Sequence, residues 1–354
     1  MMTLFEPFDL RSVSLRNRIF MSPMCQYSAI DGFANDWHFQ HLASRAVGGA
    51  ALVMTEATAV SPDGRISYAD LGLWLDDQIE PLRRIVRFIA DHGAVPGIQL
   101  AHAGRKASTQ RPWDAAEVLS QPGKSWSPIW APSAEPFSDA SQKPAELSLE
   151  GIARVRAQFA EAAARARTAG FKVAEIHAAH GYLLHEFLSP VSNHRSDEYG
   201  GTPEKRARLL CEIVESVRRA WGEENPLFVR VSATDWRADG LTPDDTVGLA
   251  RRLKELGVDL LDVSSGGIAP NLQIPMGPGY QTFMAERVRK EAGLAAGAVG
   301  LITGAVQAEH IVRSGQADAV FIGRALLRNP YWPLQAAKEL GAEITWPSQY
   351  QRAR

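Results

Sequence analysis

Two histidines and a tyrosine stand close together in the segment from His177 to Tyr182, directly after an apolar run. Neutral imidazoles can donate hydrogen bonds to a carbonyl oxygen, or they can bind a metal. A second H-x-x-H pair, His38 and His41, lies in an ordinary helical pattern, so the spacing of His177 and His180 does not by itself indicate a metal site. We therefore favour binding of a substrate oxygen and expect no metal.

Arg230 lies inside the apolar run 227–231. A buried guanidinium must meet an anion or several hydrogen-bond acceptors, because its desolvation is costly. Gly323 and Arg324 follow another apolar run, and together with Gly304 they offer backbone N–H groups and a cation. That combination is typical of the phosphate site after the last two strands of many α/β barrels.

The chain contains two cysteines, Cys25 and Cys211, too few for a disulfide framework. Cys211 lies in a helical pattern and is expected to be buried. Cys25 follows the first apolar run, where it either fills apolar space, the commonest fate of a free cysteine, or takes part in the chemistry.

Short apolar runs alternate with helical patterns along most of the chain. The predicted strands are 18–21, 51–55, 96–100, 171–178, 227–231, 260–263, 298–302 and 319–322. The clearest predicted helices are 36–48, 77–92, 148–170, 202–221 and 242–257. Eight such strands, apolar throughout, indicate a (β/α)8 TIM barrel, with a doubly wound parallel sheet as the alternative.

One long segment interrupts this alternation. Residues 102–147 are rich in Pro, Ser and Trp and show no helical period. They follow the third predicted strand, so we expect an irregular insertion that caps the carboxyl end of the barrel. Residues 1–354 are otherwise predicted to form a single barrel domain.

Composition excludes several classes of protein. The 354 residues are 45% hydrophobic, and 38 Lys and Arg against 40 Asp and Glu give a net charge of −2. No basic field is available for nucleic acid or an acidic membrane, and no apolar run approaches the ~20 residues of a membrane span. The first residues lack the apolar stretch of a signal peptide, so a cytoplasmic protein is expected.

The chain resembles the old yellow enzyme family of FMN-dependent ene-reductases, most closely its short bacterial branch of xenobiotic reductases and thermophilic-like enzymes. The resemblance extends over essentially the whole chain. The segments that carry it are 4–7, 16–18, 22–27, 99–106 and 177–190, and it continues at Asn193, Arg195, Asp197, 199–201 and 323–324.

This resemblance implies FMN at the mouth of the barrel. The residues that would hold the cofactor are Ser22, Pro23, Met24 and Cys25 along the ring system, Ala57 and Gln99 at its pyrimidine edge, Arg230 beside N1 and O2, His177 at its border, and Gly304, Gly323 and Arg324 at the phosphate. The implied hydride donor is NADPH or NADH. A cation beside N1 and O2 stabilises negative charge on the reduced cofactor.

The resemblance also implies reduction of the activated C=C bond of an α,β-unsaturated carbonyl or nitro compound by ping-pong hydride transfer. His177 and His180 would bind the substrate oxygen, and Tyr182 would donate the proton. Cys25 would tune the flavin, and Tyr27 would contact the substrate. Two rival functions are a flavin-binding barrel without turnover and a dienoyl-CoA-type reductase; the absence of a cysteine cluster for an iron–sulfur centre argues against the second.

The tail 346–354 contains Trp346 and Tyr350, an unusual composition for a solvated terminus. Relatives with a similar tail place its arginine in the site of a neighbouring subunit. We therefore expect a homodimer or homotetramer in which Arg352 reaches across the interface, with a tail packed on its own barrel as the alternative.

Overall fold

The computed structural model describes residues 2–354, in which eight parallel strands close into a barrel. In chain order the strands are β1 (Phe8–Leu10), β2 (Val13–Leu15), β3 (Ile19–Met21), β4 (Leu52–Ala59), β5 (Val95–Ala101), β6 (Trp130–Ala131), β7 (Ala145–Glu146), β8 (Val173–Ala178), β9 (Leu227–Ser232), β10 (Leu260–Ser264), β11 (Ala295–Ala298) and β12 (Ala319–Ile322). The helices are α1 (Asp36–Val47), α2 (Ile79–Asp91), α3 (Leu149–Ala169), α4 (Leu183–Leu188), α5 (Pro203–Trp221), α6 (Pro243–Glu255), α7 (Thr282–Arg287), α8 (Ala305–Arg313), α9 (Arg324–Arg328) and α10 (Trp332–Leu340).

The order of strands around the barrel is β3, β4, β5, β8, β9, β10, β11 and β12, and β12 pairs with β3 to close it. Strands that neighbour each other in the barrel are therefore consecutive along the chain, apart from the short pair β6 and β7. A doubly wound sheet would instead reverse its strand order at one point. The (β/α)8 prediction is confirmed.

The predicted helix ends carry the expected capping groups. Ser148 accepts a hydrogen bond from the Gly151 N–H at the start of α3, and Gly170 ends that helix in a left-handed conformation with φ 99°. Thr202 and Thr242 cap α5 and α6, each followed by a proline in the first turn. These caps satisfy backbone donors that a helix cannot satisfy itself.

The seventh strand lies earlier than the sequence analysis predicts. The structure places β11 at Ala295–Ala298 instead of 298–302, because the chain turns at Gly300 and Leu301, where φ is 121° and 50°. The predicted run has the larger side chains, but this part of the barrel needs small ones. A Cβ added at Gly297 would lie 2.3 Å from the ring of Phe321, which fills the space inside.

A hairpin of β1 and β2 closes the amino end of the barrel, and the sequence analysis did not predict it. Its residues Phe8, Val13 and Leu15 pack against Phe20 and Phe321 from the barrel strands. Each of its strands is only three residues long, too short for an alternating pattern to stand out.

The segment 102–147 contains β6, β7 and two short 3-10 turns, at 104–106 and 116–120. Its residues Ala103, Ala107 and Ile129 form a small apolar cluster against which Tyr182 packs. The segment therefore lies at the carboxyl end of the barrel, next to one of the predicted catalytic side chains. None of the helices within residues 2–354 is both long and apolar enough to cross a membrane.

Replacing Gly297 by alanine should destabilise the protein by about 1–3 kcal/mol, because the new methyl group overpacks the barrel interior against Phe321. The matched control is Gly248→Ala in α6, where an added Cβ meets no atom within 4 Å. That change should stabilise the helix by up to about 1 kcal/mol. Thermal unfolding of the two variants measures both effects, and equal melting temperatures would contradict the packing argument.

Candidate active site

Polar side chains from neighbouring strands meet inside the carboxyl half of the barrel. Strand register pairs Gln99 with Glu175 and Arg230 with Asp262. The Gln99 Nε2 atom donates to Glu175 Oε1 at 2.8 Å, and Arg230 Nε lies 3.0 Å from Asp262 Oδ2. All four residues are buried, so this is a charged cluster within an otherwise apolar barrel.

The two acids of this cluster resist ionisation. Burial, and then repulsion from Asp262, raises the pKa of Glu175 to about 8. Burial likewise raises the pKa of Asp262 to about 6, although Arg230 opposes the change. The terminal nitrogens of Arg230 donate no hydrogen bond to any residue in the described part of the chain. They remain available to an acceptor at the mouth of the barrel.

His177, His180 and Tyr182 come together where β8 ends. The ring of His177 lies 5.3 Å from that of His180 and 5.0 Å from that of Tyr182, measured between centroids. The Ala179 N–H faces His177 Nδ1 at 3.3 Å, so a neutral His177 carries its proton on Nε2. His180 Nε2 lies 2.7 Å from Ser264 Oγ, and when that hydroxyl donates, the proton of His180 is on Nδ1.

The surroundings keep both imidazoles neutral. Burial and then the positive charge of Arg230 hold the pKa values of His177 and His180 well below the ordinary value for histidine. Burial also raises the pKa of Tyr182, so its phenol keeps its proton. The three side chains can therefore offer two N–H donors and one O–H donor to a bound molecule at neutral pH.

Lys106 contacts the same turn, although the sequence analysis assigned it no role. Its Nζ donates to His180 O at 2.8 Å and lies 5.0 Å from the centroid of the Tyr182 ring. Burial lowers the pKa of Lys106 to about 8.

The segment from Ser22 to Tyr27 crosses the mouth on the opposite side. Its backbone is held at Gln26, whose N–H donates to Glu56 Oε2 at 2.8 Å, while Glu56 Oε1 lies 3.2 Å from His38 Nε2. Tyr27 has a left-handed backbone with φ 49°. Burial raises the pKa of the Cys25 thiol well above its ordinary value, so the thiol is protonated. The buried partners of this segment, His38 and Glu56, were not predicted as site residues.

Gly323 and Arg324 line a cavity of about 220 Å³ together with Gly300 and Thr303. Gly304 lines a neighbouring cavity of about 270 Å³, which Thr303 also borders. The structure thus places Gly300, which the sequence analysis missed, in the same cavity as Gly323, whereas Gly304 lines the other cavity.

The remaining predicted residues lie at the rim or away from it. Ala57 is buried in β4, and Met24 lies beside Gly323, where an added Cβ would be 3.7 Å from its Sδ. Arg352 is exposed in the C-terminal turn at 348–353, and its side chain makes no hydrogen bond or ion pair within residues 2–354. Tyr350 packs on Tyr331 with ring centroids 5.8 Å apart, so the tail lies on its own barrel in this single chain.

These features fit a flat cofactor with an anionic tail. Arg230 has terminal nitrogens without a partner within residues 2–354, Ser22 and Met24 lie within 4 Å of a Cβ built at Gly323, and Gly323 lines a cavity together with the cationic Arg324. Residues 3–343 match the model of the NADH:flavin oxidoreductase / NADH oxidase family.

The chain belongs to this family.

Relatives of known sequence and structure agree with that assignment. The chain is 51% identical over 351 residues to an NADPH dehydrogenase of Geobacillus thermodenitrificans, covering 99% of this chain and 98% of the relative. Among solved structures it resembles morphinone reductase in complex with tetrahydroNAD, with a TM-score of 0.79, 26% identity and coverage of 98% and 93%. It also resembles the old yellow enzyme homologue from Zymomonas mobilis, with a TM-score of 0.79, 28% identity and coverage of 97% and 94%.

Membership confirms the predicted class of enzyme: an NAD(P)H-dependent oxidoreductase with FMN as its cofactor. FMN supplies hydride transfer, chemistry that no amino-acid side chain provides.

Glu175→Gln should remove a pH dependence of stability. A folded-state pKa of about 8 exceeds the ~4.3 of an unfolded glutamate, so the folded protein binds more protons between these values and loses stability as pH rises through this window. The free energy of unfolding should fall by at most about 1.4 kcal/mol per pH unit in this window. The amide of the variant can still accept from Gln99. The difference in melting temperature between the variant and the wild type should therefore shift in favour of the variant as pH rises from 5 to 8. A constant difference across that range would contradict the raised pKa.

Proposed function

We propose that this family member is an ene-reductase, which reduces the activated C=C bond of α,β-unsaturated carbonyl or nitro compounds with NADPH or NADH in two alternating half-reactions. The observation that carries the proposal is the pair of neutral imidazole donors beside a half-buried phenol. The relatives named NADPH dehydrogenase support NADPH as the reductant.

The residues at the mouth would hold FMN in a defined orientation. The unpaired nitrogens of Arg230 suit the N1 and O2 edge, where they would stabilise negative charge. Gln99 already uses its Nε2 to donate to Glu175, so its carbonyl oxygen is the atom left to accept from the pyrimidine N–H. Ala57 lies on the neighbouring strand, in register with Gln99, and its backbone would serve the same edge.

The phosphate would bind between Gly323 and Arg324, where α9 begins. Gly300 and Thr303 border the same cavity, whereas Gly304 lines the neighbouring one, which Thr303 also borders. Ser22, Pro23, Met24 and Cys25 would line the ring system. The protonated thiol of Cys25 suits a role in tuning the cofactor by hydrogen bonding and is poorly suited to nucleophilic attack.

The substrate oxygen would accept hydrogen bonds from His177 and His180. Both donors are in place before reaction, so they stabilise the enolate-like charge that develops on the oxygen when hydride reaches the β carbon. Tyr182 then donates its proton to the α carbon. Its high pKa means that it acts only on a strongly basic acceptor, which a developing carbanion provides. Tyr27, whose ring lies 5.9 Å from that of Trp113, would contact the substrate at the rim.

A second subunit would complete this site. Arg352 is exposed and unpaired within residues 2–354, and an apolar cleft of about 470 Å³ lies between the tail and α10, lined by Leu334, Trp346 and Tyr350 among others. We propose a homodimer or homotetramer that covers this cleft and in which Arg352 enters the neighbouring subunit's site.

Tyr182→Phe tests the proposed reaction. It should slow reoxidation of the NADPH-reduced enzyme by 2-cyclohexen-1-one by about 10²–10⁴-fold, because only this half-reaction needs a proton donor. Reduction by NADPH should change little. Stopped-flow absorbance of the flavin follows each half-reaction separately.

The matched control is Tyr199→Phe, which also removes a phenol hydroxyl. The Tyr199 hydroxyl donates to Glu212 at 3.1 Å, outside the mouth. This control should leave both half-reactions unchanged. A wild-type enzyme whose reduced flavin is not reoxidised by enones would refute the proposed function. Equal losses in both half-reactions of Tyr182→Phe would show that the phenol acts through binding or folding.

Arg352→Ala tests the shared site. It should raise KM for the enone or for NADPH while kcat changes less, because a binding cation is lost. Arg354→Ala is the control, since it removes an exposed cation from the same tail two positions further on. Size-exclusion chromatography with light scattering gives the oligomeric state of both variants. A monomeric wild type, or two variants with identical KM values, would contradict the proposal.

A further inference from the structure

The turn that carries His180 and Tyr182 has an unusual backbone. His180 and Gly181 are both left-handed, with φ of 61° and 72°. A Cβ at Gly181 would lie 2.1 Å from the carbonyl oxygen of Gly267, so only glycine fits there. Because the two side chains flank this glycine, the geometry of the turn decides where both of them point.

Side chains outside the turn hold three of its backbone polar groups. The His180 N–H donates to Ser232 Oγ at 2.9 Å, and His180 O accepts from Lys106 Nζ at 2.8 Å. The Gly181 N–H donates to His185 Nδ1 at 2.8 Å. This last partner differs from the others because an imidazole nitrogen accepts only when it carries no proton.

His185 lies in α4 and is completely buried together with Asp235. Its Nε2 lies 2.9 Å from Asp235 Oδ1, and neither atom has another polar partner within residues 2–354. Asp235 Oδ2 accepts from Ser189 Oγ at 2.7 Å and from the Leu241 N–H at 2.8 Å. Although burial alone would raise it, the pKa of Asp235 is lowered by His185 and by these donors, so the carboxylate stays ionised.

We propose that the buried pair of His185 and Asp235 is a positioning device for the catalytic turn. The carboxylate of Asp235 keeps the proton of His185 on Nε2, which leaves Nδ1 to accept from Gly181 and thereby aims His180 and Tyr182. Neither residue of the pair touches the substrate. The consequence for turnover rests on the proposed ene-reductase function, while the hold on the Gly181 N–H does not.

Two nearly isosteric replacements of His185 separate this role from simple packing. His185→Asn keeps a carbonyl oxygen near the position of Nδ1, whereas His185→Leu places a methyl group there. Both leave Asp235 without its imidazole partner, so their losses of stability should be similar. Only the leucine variant leaves the Gly181 N–H without an acceptor.

Hydrogen–deuterium exchange of the flavin-loaded enzyme measures how well the backbone N–H groups of the turn are protected. A peptide spanning 179–183 should exchange at the wild-type rate in His185→Asn and at least tenfold faster in His185→Leu. Stopped-flow reoxidation by 2-cyclohexen-1-one should be within about threefold of wild type in the asparagine variant and about 10–100-fold slower in the leucine variant, the usual effect of losing an outer-shell partner. When Tyr182 is already replaced by Phe, His185→Leu should slow reoxidation by a factor at least three times smaller than it does in the wild type. The reason is that part of the effect of His185→Leu acts through Tyr182.

Equal amide exchange and equal reoxidation rates in the two His185 variants would overturn the positioning role. The same holds if His185→Leu slows reoxidation by the same factor in the Tyr182→Phe background as in the wild type. If exchange differs as expected while the wild-type enzyme does not reduce enones, the positioning device stands and the proposed function fails.

If neither His185 variant folds, Asp235→Asn decides the matter. An amide that stays bonded to Leu241 turns its NH2 toward His185, which moves the imidazole proton to Nδ1, where it faces the Gly181 N–H. Faster exchange at 179–183 is then expected, and an unchanged rate would refute the proposal.

Discussion

Arg230 carries its positive charge into the carboxyl end of the barrel, where its Nε lies 3.0 Å from Asp262. A desolvated guanidinium is tolerable only with an anion nearby, which explains the acidic residues on the adjacent strands. Its charge also helps to keep the two histidines above it neutral. Its terminal nitrogens donate no hydrogen bond to any residue in the described part of the chain. One buried cation thus accounts both for an enclosed charged cluster and for donors available to an anionic cofactor edge.

Two buried histidine–carboxylate pairs hold the two backbone segments that border the mouth. In the first, Glu56 binds the Gln26 N–H and is itself in contact with His38. In the second pair the imidazole, not the carboxylate, accepts the backbone hydrogen bond: His185 binds the Gly181 N–H, and Asp235 contacts the imidazole. Loops with left-handed residues are strained and would otherwise sample several conformations. In both pairs a buried side chain fixes a backbone N–H at the border of the mouth.

The barrel explains how side chains that are distant in sequence meet. Parallel strands end at one edge, so the turns after β3, β8 and β12 all open on the same mouth. The segment 102–147 then covers one side, and its Ala103 and Ile129 pack beside Tyr182. Apolar packing from an irregular segment thus shields the phenol from water and raises its pKa, so Tyr182 keeps its proton.

Much of this protein is determined by the sequence alone. The alternation of apolar runs with capped helices predicts the barrel, because period and capping are local properties that each segment carries by itself. The motif from His177 to Tyr182 and the lone arginine in β9 identify the mouth, since an arginine in an apolar strand requires a partner. Only the tertiary structure decides what depends on contact between distant segments. The small residues of β11 form a strand because Phe321 fills the space beside Gly297. His38, Glu56, His185 and Asp235 look like ordinary helix, strand and loop residues until folding pairs them across 18 to 50 positions. Which nitrogen of an imidazole carries the proton depends on those partners, and no local pattern in the sequence records it.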